Sequence, residues 1–99
     1  DCLVKKPADT VVVPVRGDSM IEAGIFEGDL AVVERTASAK LGSFVVAQVE
    51  DRFTLKELVK VDGAHALKAH NRRYPLIRPE GTWHIFGVMV GLVRRYQRY

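Results

Sequence analysis

The hydroxyl of Ser19 and the amine of Lys56 combine a residue type and a sequence setting that suit hydrolytic chemistry. A serine hydroxyl is a weak nucleophile at neutral pH, so a site that uses one needs a neighbouring group to take its proton during attack. A lysine amine can do this only when it is neutral, and burial among apolar residues lowers its pKa because the ammonium loses hydration. The pair therefore predicts a serine nucleophile with a lysine base.

The residues around each member of the pair fit these roles. Gly17 permits a tight turn just before Ser19, and the backbone N–H groups that flank a serine on such a turn can form an oxyanion hole. Lys56 lies among apolar residues, and the alternation of a strand would place Thr54 and Leu58 on its own face. Placement in the middle of a strand would hold the base rigidly.

Both features also have an ordinary structural explanation. Gly-Asp-Ser is a common turn, because Asp and Ser side chains bond to the local backbone. A single lysine in a strand is usually solvated or protects a sheet edge. The two residues alone do not decide between these explanations and a catalytic pair.

Several motifs in register resemble the LexA/UmuD family of self-cleaving serine peptidases, over nearly the whole chain. They are Gly17-Asp18-Ser19-Met20, Gly24-Ile25, Glu27-Gly28-Asp29-Leu30, Phe53-Thr54-Leu55-Lys56, residues 71–75 and residues 86–95. The resemblance implies that Ser19 is the nucleophile and Lys56 the general base and then acid. It also implies that the backbone N–H groups of Asp18 and Ser19 are the oxyanion donors. Gly17 and Met20 would support the turn.

The resemblance implies a biological setting as well. In this family a filament of RecA on single-stranded DNA stimulates cleavage of an Ala-Gly or Cys-Gly bond, and the expected protein is a cytoplasmic SOS-response transcriptional regulator, bacterial or phage-encoded. Residues 86–88 resemble the UmuD branch, an accessory subunit of a translesion DNA polymerase, whereas residues 90–95 resemble the repressor branch. Phage repressors are a third alternative. A dimerisation module in which Ser19 and Lys56 are idle is a fourth.

The front of the chain departs from the family pattern. Relatives carry the scissile bond some tens of residues before the serine, and no Ala-Gly or Cys-Gly pair precedes Ser19 here. Ala23-Gly24 is too close to Ser19 for its carbonyl to reach the hydroxyl in attack geometry, so we interpret Gly24 as a turn residue. We expect residues 1–99 to be a single peptidase and dimerisation domain, with the cleavage-site segment and any DNA-binding domain absent.

The composition limits other functions. Ninety-nine residues, 47% hydrophobic and 27% charged, suit one globular domain. Its apolar runs are far shorter than the roughly 20 residues that span a bilayer, which argues against signal peptidases, relatives that use a similar pair at a membrane. The single cysteine, Cys2, excludes an internal disulfide, suits a reducing cytoplasm and has no histidine close in sequence to activate it.

The sequence predicts no cofactor and no metal. The histidines His65, His70 and His84 are scattered, and neither a metal-ligand spacing nor a glycine-rich phosphate loop is present. A net charge of +3 accompanies arginine and tyrosine residues at 72–74 and 94–99, which are typical either of nucleic-acid contacts or of a solvated face. We expect specific DNA binding only through an absent N-terminal domain.

The order of the elements predicts an all-β domain of folded or barrel-like sheets. Predicted strands cover residues 10–15, 30–34, 43–49, 53–60, 65–69 and 83–94, and an irregular connection covers residues 70–82. Pro14 places the first strand at an edge or a bulge. A single helical turn at residues 19–23 would be capped by Asp18 or Ser19 and ended by Gly24. The last strand is apolar on both faces, and we expect it to form a two-fold homodimer.

Overall fold

The structure of the protein, a computed structural model, describes residues 9–94 and contains one antiparallel sheet of six strands. The strands are β1 (Thr10–Pro14), β2 (Leu30–Arg35), β3 (Phe44–Val49), β4 (Arg52–Val61), β5 (Ala64–Lys68) and β6 (Trp83–Val93). The predicted all-β fold is confirmed, and each predicted strand is present with ends shifted by one residue. The predicted lead-in at residues 1–8, with Cys2, and the basic residues after Arg94 lie outside the described residues. No helix within residues 9–94 is long and apolar enough to cross a membrane.

The order of the strands across the sheet is β1-β2-β6-β3-β4-β5, so β1 lies at an edge, as Pro14 predicted. In a flat sheet, the spacing between strands would put β1 about 19 Å from β4. Side chains of β1 and β4 nevertheless line one cavity together with side chains of β2 and β3. The sheet therefore curls around this cavity, in the barrel-like manner predicted.

The strand β6 joins the two halves of the sheet, because it pairs with β2 on one side and with β3 on the other. The register shifts once in each of these two ladders. Such bulges bend a strand and increase its twist. A Cβ at Gly87 would lie 2.6 Å from the carbonyl oxygen of Glu34 and from a methyl carbon of Val33, so a larger residue would push β2 and β6 apart.

Two tight turns fix the pairing of β3 with β4 and of β4 with β5. Glu50 and Asp51 have φ values of 51° and 67°, and Asp62 and Gly63 have values of 53° and 81°. A positive φ at both central residues is the requirement of a type I′ turn, whose twist matches that of the flanking strands. The first turn sets the register that places Lys56 opposite a buried valine of β3.

The core consists of two clusters of buried apolar side chains, and β3 contributes to both. The first contains Val45, Ala47, Leu58 and Leu67, and the second contains Ala31, Val33 and Val46. Successive residues of a strand point to opposite faces of the sheet. The sheet is therefore covered on both faces at β3.

The helical turn after the Gly-Asp-Ser sequence is shorter than predicted and lacks the predicted cap. It is a 3₁₀ turn, Ile21–Ala23, with no side-chain hydrogen bond at its N-terminus. The prediction that Asp18 or Ser19 caps it is wrong, because the Asp18 carboxylate accepts a hydrogen bond from the Tyr74 hydroxyl instead. Gly24 ends the turn in the left-handed conformation, with φ of 81°, as predicted.

An ion pair ties the residue after β6 to the turn before β2. Arg94 donates from Nε and Nη2 to the two carboxylate oxygens of Asp29, at 2.9 and 2.8 Å, and its guanidinium lies 4.9 Å from the ring centroid of Phe26. The hydrogen bonds from Arg94, with a further one from the Phe26 N–H, lower the pKa of Asp29 to about 2. The charge of Arg94 is thus paired with Asp29 within the domain rather than presented to nucleic acid.

This ion pair should make the fold sensitive to acid. The pKa of Asp29 is lower in the folded chain than its ordinary value of 3.8, so the contribution of its charge is complete above that value and is lost as the pH falls towards about 2. We expect the difference in Tm between the wild type and Asp29→Asn to be constant near neutral pH and to shrink between about pH 4 and pH 2. A difference in Tm that persists unchanged into the acid range would show that the ion pair does not stabilise the fold.

Candidate active site

The structure brings together Ser19 and Lys56, the two residues that the sequence predicted as a pair. The Nζ atom of Lys56 lies 3.1 Å from the Oγ atom of Ser19, across 37 positions of sequence. Nζ also donates to the hydroxyl of Thr54, which lies two residues earlier on the same face of β4. A lysine that loses its proton has a lone pair on Nζ. At this distance the lone pair can accept the proton of the Ser19 hydroxyl, as proton transfer requires.

Lys56 is buried, with 6% of its surface exposed. No carboxylate lies within ion-pair distance of its amine in the part of the chain that the structure describes. Loss of hydration therefore lowers the pKa of Lys56 below its ordinary value of 10.5. A lowered pKa increases the neutral fraction near pH 7, as a general base needs.

The turn that carries Ser19 is held at both ends. Gly17 has φ of 77°, and its N–H donates to the Glu27 carboxylate at 3.3 Å. Met20, with 2% of its surface exposed, anchors the other end of the turn in the interior. The resemblance implied supporting roles for Gly17 and Met20, and these roles stay predictions.

The predicted oxyanion donors lie in this turn. Within residues 9–94, neither the N–H of Asp18 nor that of Ser19 donates a hydrogen bond to another group of the protein. Both groups are therefore available to a bound oxygen atom. Ser19 itself is only partly exposed, so such an oxygen would be bound in a partly desolvated place.

A cavity of about 320 Å³ opens beside the pair. The end of β1 with the segment after it, residues 13–17, forms one side, and the start of β4, residues 53–56, forms another. Ala31 and Val46 add apolar surface, and Ser19 lines the cavity with Lys56. This volume lies within the usual range of ligand sites, and the reactive atoms are reached from it.

A buried asparagine in the loop after β5 holds the serine turn. Asn71, 4% exposed, donates from Nδ2 to the carbonyl oxygen of Asp18 at 2.8 Å. Its Oδ1 accepts the N–H of Arg73 at 3.0 Å. The Tyr74 hydroxyl binds the Asp18 carboxylate, and this hydrogen bond raises the pKa of Tyr74. The loop therefore holds both the backbone and the side chain of Asp18.

The same loop holds the far end of the serine turn. The carbonyl oxygen of His70 accepts the N–H of Glu22 at 2.7 Å, and the His70 N–H lies 3.4 Å from the sulfur of Met20. The His70 ring is fixed in turn by the Glu57 carboxylate, at 2.7 Å. Residues 71–75 belong to one of the family motifs, but the sequence indicated no role for them. Their polar composition alone does not distinguish this loop from a solvated one.

The burial of Lys56 predicts a cost in stability. The pKa of Lys56 is lower in the folded chain than 10.5, so the cost of the desolvated ammonium is fully present below the folded pKa and disappears as the pH rises towards 10.5. We expect Lys56→Met to raise the free energy of unfolding at neutral pH by about 1 kcal/mol, as is common when a functional charge is removed. The gain should shrink in alkaline solution, which urea unfolding at several pH values would measure.

A suitable control is Lys60→Met, because Lys60 is exposed on the same strand. It should change the free energy of unfolding little. A Lys56→Met variant that is less stable than the wild type at neutral pH would show that burial of this amine carries no such cost.

Comparison with known protein families gives one match over most of the chain. Residues 1–90 match the family described as Peptidase S24-like. The LexA repressor of Opitutus terrae is 45% identical over 96 residues, which are 96% of this chain and 48% of the relative. The LexA repressor of Clostridium perfringens is 42% identical over 94 residues (94% and 45%), and that of Clostridium novyi is 39% identical over 89 residues (89% and 44%).

The chain spans about half the length of the curated relatives it matches. The similarity covers β1 to β6 almost entirely, and it includes the stretch from Gly17 to Lys56 that forms the cavity and the pair. The resemblance to LexA-type peptidases that the motifs indicated is confirmed. This chain belongs to the Peptidase S24-like family and is a LexA-type peptidase domain.

Proposed function

We propose that this chain is the self-cleaving domain of a LexA-like transcriptional regulator, with Ser19 as nucleophile and Lys56 as general base. The observation that carries the proposal is the 3.1 Å separation between Nζ and Oγ, with burial lowering the pKa of the amine. Membership in a peptidase family supports hydrolysis of a peptide bond. The name LexA repressor, carried by the relatives above, supports the regulatory setting.

The geometry suggests a mechanism in two steps. In the first, neutral Lys56 takes the proton of Ser19 while Oγ attacks the carbonyl carbon of the scissile bond, and the N–H groups of Asp18 and Ser19 bind the oxyanion. The resulting ammonium, held by Thr54, then gives its proton to the leaving amine. In the second step, Lys56 takes a proton from water as the water attacks the acyl ester, and its return to Oγ releases Ser19.

The substrate would be an Ala-Gly or Cys-Gly bond of the regulator itself, bound in the cavity beside the pair. A filament of RecA on single-stranded DNA would stimulate the reaction during the SOS response in a bacterial cytoplasm. Specific DNA binding would belong to a separate N-terminal domain, while residues 1–99 would form one peptidase and dimerisation domain. The similarity to LexA repressors supports this proposal.

A second candidate is a UmuD-like accessory subunit of a translesion DNA polymerase. Residues 86–88 favour it, because they resemble that branch. The same pair would then activate the subunit by cleavage rather than inactivate a repressor. The LexA names of the reported relatives favour the repressor.

The chemistry can be tested on this chain with a fluorophosphonate probe, which phosphonylates activated serines. We expect labelling at Ser19, with a rate that rises with pH along a single ionisation to a plateau, because the base must first lose its proton. The midpoint should lie below 10.5, the ordinary pKa of lysine, because burial lowers the pKa of Lys56. A cleavage assay on a peptide with an Ala-Gly or Cys-Gly bond, supplied in trans, should show the same pH dependence.

Matched variants separate the two roles. Ser19→Ala should abolish labelling, and Lys56→Arg should be inactive at every pH because a guanidinium stays protonated. Lys60→Arg, at an exposed position near the end of the same strand, should behave as the wild type. Labelling of Lys56→Arg at the wild-type rate, or a wild-type rate independent of pH, would refute the proposed mechanism.

We also propose that the domain forms a homodimer through β6. Val90 and Val93 expose 59% and 50% of their surfaces at the end of this strand, and Leu92 exposes 36%. Burying such side chains in a two-fold contact is favourable by roughly 25 cal/mol per Å².

Sedimentation velocity at micromolar concentration should give a dimer, and Val90→Glu should give a monomer that still reacts with the probe. A monomeric wild type would refute this contact.

A further inference from the structure

Asn71 contacts the peptide bond that carries one of the proposed oxyanion donors. The carbonyl of Asp18 and the N–H of Ser19 belong to the same peptide unit, which is planar and trans. In such a unit the oxygen and the hydrogen point in opposite directions. The Asn71 Nδ2 lies 2.8 Å from the Asp18 oxygen, so it restrains the unit from the side opposite to the Ser19 N–H.

The side chain of Asn71 is itself fixed. It is 4% exposed, and its Oδ1 accepts the N–H of Arg73 at 3.0 Å. Exchanging the oxygen and nitrogen of the amide would place two donors against each other at Arg73 and two acceptors at Asp18. The carbonyl of Asn71 also accepts the N–H of Tyr74, at 2.9 Å. The donor that reaches Asp18 therefore has one orientation and little freedom.

The position of the cavity agrees with this geometry. Gly17, Ser19 and Lys56 line the cavity beside the pair, whereas Asn71 lines a different depression, on which Tyr74 also borders. Asn71 thus approaches the serine turn from outside the cavity. A hydrogen bond to a peptide carbonyl also polarises the peptide unit, which makes its N–H a stronger donor.

We propose that Asn71 is a positioning residue for the oxyanion hole. Its hydrogen bond holds the Asp18–Ser19 peptide so that the Ser19 N–H faces the oxygen that becomes negative during attack. This inference rests on the proposed function of Ser19 and Lys56, and it adds a third side chain that acts on the reaction only through the backbone.

Two substitutions remove the donor while keeping an oxygen for the Arg73 N–H. Asn71→Asp has the same shape but sets an acceptor against the Asp18 carbonyl and adds a charge in a buried place, so a purely structural role predicts less folded protein but an unchanged labelling rate of the folded fraction. Asn71→Ser keeps a shorter oxygen without adding charge, and it separates the loss of the donor from the effect of a new carboxylate. Arg72→Ala is the matched control, because the Arg72 side chain in the same loop is 92% exposed.

The measured quantity is the rate of fluorophosphonate labelling of the folded fraction as a function of pH. Loss of a complete oxyanion donor typically costs about 100- to 1,000-fold, so a misdirected one should lower the plateau by roughly 10- to 100-fold. The midpoint should stay at the wild-type pH in Asn71→Ser, which adds no charge and does not touch Lys56. Arg72→Ala should stay within about twofold of the wild type.

A measurement on the wild type does not depend on how the variants fold. The phosphonyl oxygen of the adduct occupies the place of the oxyanion, so the amide proton of Ser19 should shift downfield in the NMR spectrum after labelling. An unchanged amide shift would overturn the inference, as would a wild-type plateau in both Asn71 variants or a plateau lost together with a shifted midpoint in Asn71→Ser. Failure of the proposed function would look different, because labelling would then persist in Ser19→Ala.

Discussion

The arrangement depends on keeping one amine away from water without giving it a counter-ion. A carboxylate beside Lys56 would offset the loss of hydration, but it would also stabilise the ammonium and so reduce the neutral fraction of the amine. The structure surrounds the amine with the hydroxyls of Ser19 and Thr54 instead. A hydroxyl can donate or accept, so it serves the charged and the neutral amine alike. No counter-ion thus offsets the loss of hydration, and the pKa of Lys56 is lowered as a result.

The second requirement is geometric, because Ser19 and Lys56 are positioned by strands that are not neighbours in the sheet. β1 leads into the Ser19 turn and β4 carries Lys56, with β2, β6 and β3 between them. Curling of the sheet closes this gap, and the two bulges of β6 with the tight passage at Gly87 accompany the curl. The loop at residues 70–74 then fixes the turn from the outside. Packing, rather than local sequence, sets the 3.1 Å distance.

Much of this follows from local patterns, and the rest depends on contacts that no local pattern contains. The pattern of apolar residues predicted the strands to within a residue, because this pattern is a local property of the sequence. The cap assigned to Asp18 was wrong because Tyr74, distant in sequence, competes for its carboxylate. The contact of Asn71 with Asp18 could not be predicted either, since an asparagine in a polar loop reveals neither its burial nor its partner. The pair was identified from several motifs together, and its spacing alone would not have sufficed.

The position of β6 has a consequence for control by large molecules. Within the sheet, the part that carries the serine and the part that carries the lysine share this one strand, whose far end is exposed and apolar. A shift of less than an ångström of β2 or β3 relative to β6 would move Oγ relative to Nζ. The rate of a reaction between two positioned groups is steeply sensitive to such a displacement. A protein assembly that is too large to enter the cavity could therefore change the rate of the bond-breaking step. It would do so by bending β6, a strand whose side chains take no part in the chemistry.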